Sequence, residues 1–123
     1  MSLNRRDLEK KLSPITGTLL KEKGYICMVD VFVKLEYLTD KDVEDWRMKK
    51  VPYLEKSIKV GLGKVSFIVK QVQSNCIKGK LKASRTEYRS WGKGKKVPLR
   101  FSKSGRQTIE EAYSTHYLKR ENA

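Results

Sequence analysis

Residues 84–91, Ser-Arg-Thr-Glu-Tyr-Arg-Ser-Trp, alternate in character and run into Gly92-Lys93-Gly94-Lys95-Lys96. A second alternating run follows, in which Val97, Leu99 and Phe101 are separated by Pro98, Arg100 and Ser102. Two stretches of period two around a glycine turn specify a β-hairpin. Pro98 has no backbone N–H to donate, so its strand belongs at an edge. This segment decides the fold class, because everything before it reads as helix.

Upstream, residues 62–79 (LGKVSFIVKQVQSNCIKG) place Leu62, Val65, Ile68, Val69, Val72 and Cys76 on one helical stripe, with Asn75 and Gly79 ending it. Leu8, Leu12, Ile15 and Leu19 recur at helical spacing between Asn4 and Lys23, and Gly24 suits the helix end. Pro14 leaves open one kinked helix or two short ones. The β-branched content of Tyr25 to Leu38 would also allow a strand, but the stretch is read as a largely buried helix because Asp30 and Lys34 lie four apart on one polar face. Thr39-Asp40-Lys41-Asp42 opens another helix, running through Trp46 to about Lys49. Pro52 starts the next, through Leu54 and Ile58. Downstream of Ser104-Gly105, Thr108 to Leu118 reads as a last helix burying Ile109, Ala112 and Tyr113.

The expected fold is α+β and mainly helical: a bundle of about five helices with one basic β-hairpin near the C-terminus. A chain of 123 residues suits a single domain, 1–123, with a helical body at 4–78, a basic hairpin at 80–103 and a C-terminal helix at 107–118.

The charge is unevenly placed. The chain has 28 Lys and Arg against 14 Asp and Glu, a net of +14. Residues 78–106 hold 11 basic residues and the single acid Glu87, which accounts for +10. Self-repulsion this dense calls for a polyanionic partner. No apolar run approaches the roughly 18 residues that cross a bilayer, and the opening Met1-Ser2-Leu3-Asn4-Arg5-Arg6-Asp7 lacks the apolar core of a secretory signal. Cys27 and Cys76 make neither a disulfide framework nor a metal cluster, and a cytoplasmic setting is expected.

In the hairpin, Arg85, Glu87, Arg89 and Trp91 share one face, while Thr86 and Tyr88 share the other. On the second strand Val97, Leu99 and Phe101 face the core and Arg100 and Ser102 face outward. The expected nucleic-acid-binding set is therefore Arg85, Arg89, Lys93, Lys95, Lys96, Arg100, Lys103 and Arg106 for phosphates, with Trp91 to stack or wedge. DNA is favoured over RNA, and a two-stranded ribbon fits a major groove. The alternative is a protein-interaction or regulatory module docking an acidic protein partner. A secondary candidate is a helix-turn-helix in which the 52–60 helix presents Tyr53, Lys56 and Lys59, opposed by the acids of the helix before it.

No catalytic residues, metal site or cofactor are expected. His116, the sole histidine, reads as a packed or surface imidazole, with an activity centred on it as the minor alternative, and both cysteines lie in apolar stretches that favour inert thiols over a Cys–His pair. Gly61-Leu62-Gly63-Lys64 lacks the spacing of a phosphate loop. The basic stretch has no amphipathic helix to bind a membrane surface.

The segments Asp45-Trp46-Arg47, Val51-Pro52-Tyr53-Leu54-Glu55, Trp91-Gly92-Lys93-Gly94 and Leu99-Arg100-Phe101-Ser102-Lys103-Ser104-Gly105 resemble a small bacterial family without an assigned activity. The resemblance covers about residues 24–118. It implies a bacterial cytosolic protein and transfers no catalytic residue.

Overall fold

The computed structural model describes residues 4–119. Met1-Ser2-Leu3 and residues 120–123, which the expected 1–123 domain includes, lie outside that range. The helices are α1 (Arg5–Lys23), α2 (Met28–Lys34), α3 (Asp40–Arg47), α4 (Leu62–Lys78) and α5 (Gln107–Ser114). Three short strands, β1 (Tyr25–Ile26), β2 (Lys82–Arg85) and β3 (Thr115–Leu118), form an antiparallel sheet in the order β1-β3-β2. The expected class, mainly helical α+β, is the observed one.

α1 is a single helix that carries Pro14 on its exposed side. Asn4 caps it by accepting from the Asp7 N–H at 2.9 Å, and Gly24 closes it with an N–H to the Leu20 carbonyl. The apolar stripes of α1 (Leu8, Leu12, Leu19) and α4 (Val65, Ile68, Val72, Cys76) are buried in one core, while Leu62 of the expected α4 stripe is 59% exposed. Thr39 and Asp42 form a reciprocal capping box at the start of α3, as the Thr-Asp-Lys-Asp sequence implies.

Three helices expected from periodicity are corrected, each because a distant partner takes backbone groups that a helix would use. Tyr25–Ile26 is a strand, paired Tyr25↔Leu118 and Ile26↔Tyr117, and α2 begins only at Met28. Residues 115–118 of the expected 107–118 helix form the central strand, engaged by β1 and β2 on opposite edges. The expected 52–60 helix shrinks to a 3-10 turn at Leu54–Ser57. There the Leu54 and Glu55 N–H groups donate to the carbonyls of Arg100 and Phe101 at 3.2 and 2.8 Å, and Lys59 N–H donates to Tyr37.

The hairpin is also narrower than residues 80–103. β2 pairs with β3, in the register Arg85↔Thr115, and not with residues 97–103. Beyond it the chain folds back on itself around one antiparallel bridge, Arg89↔Pro98, flanked by Leu99 N–H to Tyr88 carbonyl at 2.8 Å and Ser90 N–H to Val97 carbonyl at 2.9 Å.

An aromatic cluster seats this ribbon on the helices. Trp46 packs 5.0 Å from Phe101 and 5.7 Å from Tyr88, and Phe101 stacks on Tyr113 at 5.3 Å. The indole Nε1–H of Trp46 donates to the Arg100 carbonyl at 2.8 Å. Glu110 of α5 accepts from the Phe101 and Ser102 N–H groups at 2.9 and 2.8 Å and from the Ser102 hydroxyl at 2.5 Å. The carboxylate thus stands in for a partner strand, which is why Ser102 is 1% exposed and not outward-facing as the alternation suggested.

Candidate nucleic-acid interface

The first arm of the ribbon keeps the expected parity. Arg85, Glu87, Arg89 and Trp91 are exposed, Tyr88 and Ser90 are buried, and Thr86 is half-buried. Phe101 is buried on the second arm, with Val97 and Leu99 half-buried. The tip, residues 91–96, is fully on the surface and presents Lys93, Lys95 and Lys96. Gly92 and Gly94 turn it with φ of +95° and +92°. A side chain at Gly92 would also come within 3.2 Å of the Met48 methyl, but it is the positive φ that favours glycine there.

Trp91 is 51% exposed and is held in place. Its N–H donates to the Arg47 carbonyl at 2.7 Å. The Arg47 guanidinium lies 5.0 Å from the Trp91 ring, 4.6 Å from Tyr88 and 5.6 Å from Trp46, and donates to the Arg89 carbonyl at 2.8 Å. Burial pulls the Arg47 pKa below its ordinary value, offset by the neighbouring Tyr88 and Cys27, yet a guanidinium remains charged at any ordinary pH. The cation over its ring helps to hold the half-exposed indole in place. Sequence reasoning did not single out Arg47 or Met48. The only local signal was a basic residue in the last turn of a helix, directly after Trp46.

The structure divides the expected cationic set. Arg89, Trp91, Lys93, Lys95 and Lys96 cluster at the tip, where the Lys96 ammonium donates to the Gly92 carbonyl. Arg89 pairs with Glu87 at 3.0 Å, and Arg85 pairs with Glu111 of α5 at 2.9 Å. Both are exposed ion pairs of small net strength, which a phosphate can displace. Arg100 is exposed, but its guanidinium is clipped to the Ser102 and Lys103 carbonyls and lies 5.8 Å from the Tyr53 ring. Lys103 and Arg106 line a separate cleft against α4. Among the described residues Lys93, Lys95, Lys103 and Arg106 have no carboxylate partner.

The helix-turn-helix candidate loses its second helix. Lys59 is spent on Asp42 at 2.5 Å, Tyr53 is half-buried beside Arg100, and Lys56 is exposed on a 3-10 turn.

His116 is stacked on Tyr25 at 5.0 Å, and its Nε2 lies 2.7 Å from the Tyr88 hydroxyl. Burial raises the Tyr88 pKa, so the phenol keeps its proton. Burial lowers the His116 pKa. Cys27, nearby in the interior, has its thiol pushed up to about 11 by burial and by Asp30, and Cys76 is pushed to about 12 by burial. Neither thiol has thiolate character at neutral pH. Surface clefts of about 420, 830 and 190 Å³ are lined without His116. No group of three or more metal-ligating side chains is found among the described residues, and no helix there is long and apolar enough to cross a membrane.

Compared with protein-family models, curated proteins and solved structures, the chain matches none.

Proposed function

We propose that this protein is a non-enzymatic nucleic-acid-binding domain of the bacterial cytoplasm that engages DNA through the ribbon tip at 89–96. The observation that carries the reading is the half-exposed Trp91, braced from behind by Arg47 and set beside three surface lysines. The lysines supply phosphate contacts, and the half-exposed indole supplies stacking or a wedge. Arg85, Lys103 and Arg106 extend the positive field away from the tip. DNA is preferred over RNA because a ribbon tip fits the B-form major groove, whereas the A-form major groove is too narrow for it. Phosphate contacts give affinity without sequence preference.

Titration of labelled duplex and single-stranded oligonucleotides across salt concentrations tests the reading. About six neutralised phosphates give a log–log slope near −5 on duplex DNA. Weak binding with a slope near zero overturns it. Retention of a co-purifying protein after nuclease treatment would instead favour an acidic protein partner.

A further inference from the structure

A second feature stands apart from the ribbon tip. A cleft of about 830 Å³ runs between α4 and the chain leading into α5. Its lining extends along α4 from Leu62 to Gln73, about 16 Å at the helical rise. The apolar walls are Val65 and Val69 on one side and Ile109 and Ala112 on the other, with Tyr113 below. Leu62 stands at the edge and is 59% exposed, so a large apolar side chain is left in water beside an apolar trough.

The rim is cationic. Lys70, Lys103 and Arg106 line it, and among the described residues none of their side chains is paired with a carboxylate. Glu55 is the one acid in the lining, and both its oxygens are engaged. Oε1 accepts from the Lys103 N–H at 3.0 Å and Oε2 from the Tyr113 hydroxyl at 2.8 Å. The volume is that of a small-molecule site. An apolar trough with surplus positive charge at its lip is complementary to one kind of molecule, with an apolar body and an anionic head.

From this cleft we infer that the protein binds a small amphipathic organic acid, its apolar body between Val69 and Ala112 and its anionic group against Lys70 and Arg106. The site shares Lys103 and Arg106 with the outlying positive field and contains no residue of the ribbon tip.

Isothermal titration with decanoate tests the inference, with decan-1-ol and decyltrimethylammonium as neutral and cationic controls. Decanoate is expected to bind at least tenfold more tightly than either control. Lys70→Glu, a surface change outside the ribbon, should weaken decanoate at least tenfold and leave decan-1-ol unchanged. Ala112→Trp fills the trough and should abolish binding of both. The Trp91→Ala protein, altered only at the ribbon, should bind decanoate as the parent does. No decanoate binding at millimolar concentration, equal affinity for acid and alcohol, or unchanged affinity in Lys70→Glu overturns the proposal. If Ala112→Trp fails to fold, Lys70→Glu and the two control ligands still decide it.

Discussion

Arg47 and Trp91 are joined twice: the Trp91 N–H donates to the Arg47 carbonyl at 2.7 Å, and the Arg47 guanidinium lies 5.0 Å from the indole centre. The first contact ties the ribbon to the C-terminal end of α3, and the second sets a cation over the ring. An aromatic side chain on an exposed turn ordinarily samples several rotamers. Here its entropy is largely spent on folding, before any ligand arrives.

Trp91→Ala should therefore weaken nucleic-acid binding with little effect on folding. Loss of one stacked base corresponds to about 1–3 kcal/mol. Fluorescence anisotropy with labelled single-stranded DNA measures the first effect and thermal melting the second. Unchanged affinity would remove Trp91 from the interface.

Glu87 is the only acid in the basic segment, and it sits on Arg89 at 3.0 Å. Glu87→Gln frees that guanidinium and removes a charge that repels phosphate. Affinity should rise about two- to fivefold at low salt, and the gain should fade as salt screens it. A salt-independent gain would point to a conformational effect instead.

Glu110→Ala strips the Phe101 and Ser102 N–H groups of their acceptor. Ser102 is buried, so its donors cannot turn to water without local opening. A loss of about 2–4 kcal/mol is expected from orphaned buried donors, read by urea denaturation. A loss under about 1 kcal/mol would mean that water replaces the carboxylate.

His116 makes stability depend on pH. Its pKa lies below the ordinary 6.5 because burial disfavours the imidazolium. Just below pH 6.5 the unfolded chain therefore binds a proton that the folded chain does not. The His116 contribution is complete above about 6.5 and declines as pH falls from there toward the folded-state pKa. The melting temperature should be lower at pH 5.5 than at 7.5, and His116→Gln should flatten that difference. An equal pH dependence in the variant would assign it to other groups.

Local signals were read well where the chain uses local bonds. Gly24 and Thr39 end and start helices as read, and Arg85, Glu87, Arg89 and Trp91 share one face as alternation implies, a face that the structure turns outward. The errors fall where backbone groups find distant partners. Leu54 and Glu55 donate to residues 100 and 101, and residues 115–118 turn from a helical pattern into the middle of a sheet. Periodicity carries no information about such pairings. The same blindness applies to the site: Trp91 was visible as an aromatic beside a lysine turn, whereas its brace, Arg47, is 44 residues earlier in the chain.

The order β1-β3-β2 has a consequence for how the chain assembles. The two outer strands, at residues 25–26 and 82–85, are made first and have no register with each other. They acquire a common neighbour only when residues 115–118 arrive. During synthesis the helices can collapse early, but the sheet must wait for the last of its three members, a closure across long sequence separations that is intrinsically slow. A ribosome-bound chain halted before Thr115 would carry both outer strands unpaired, so acquisition of protease resistance should come late in translation and in one step.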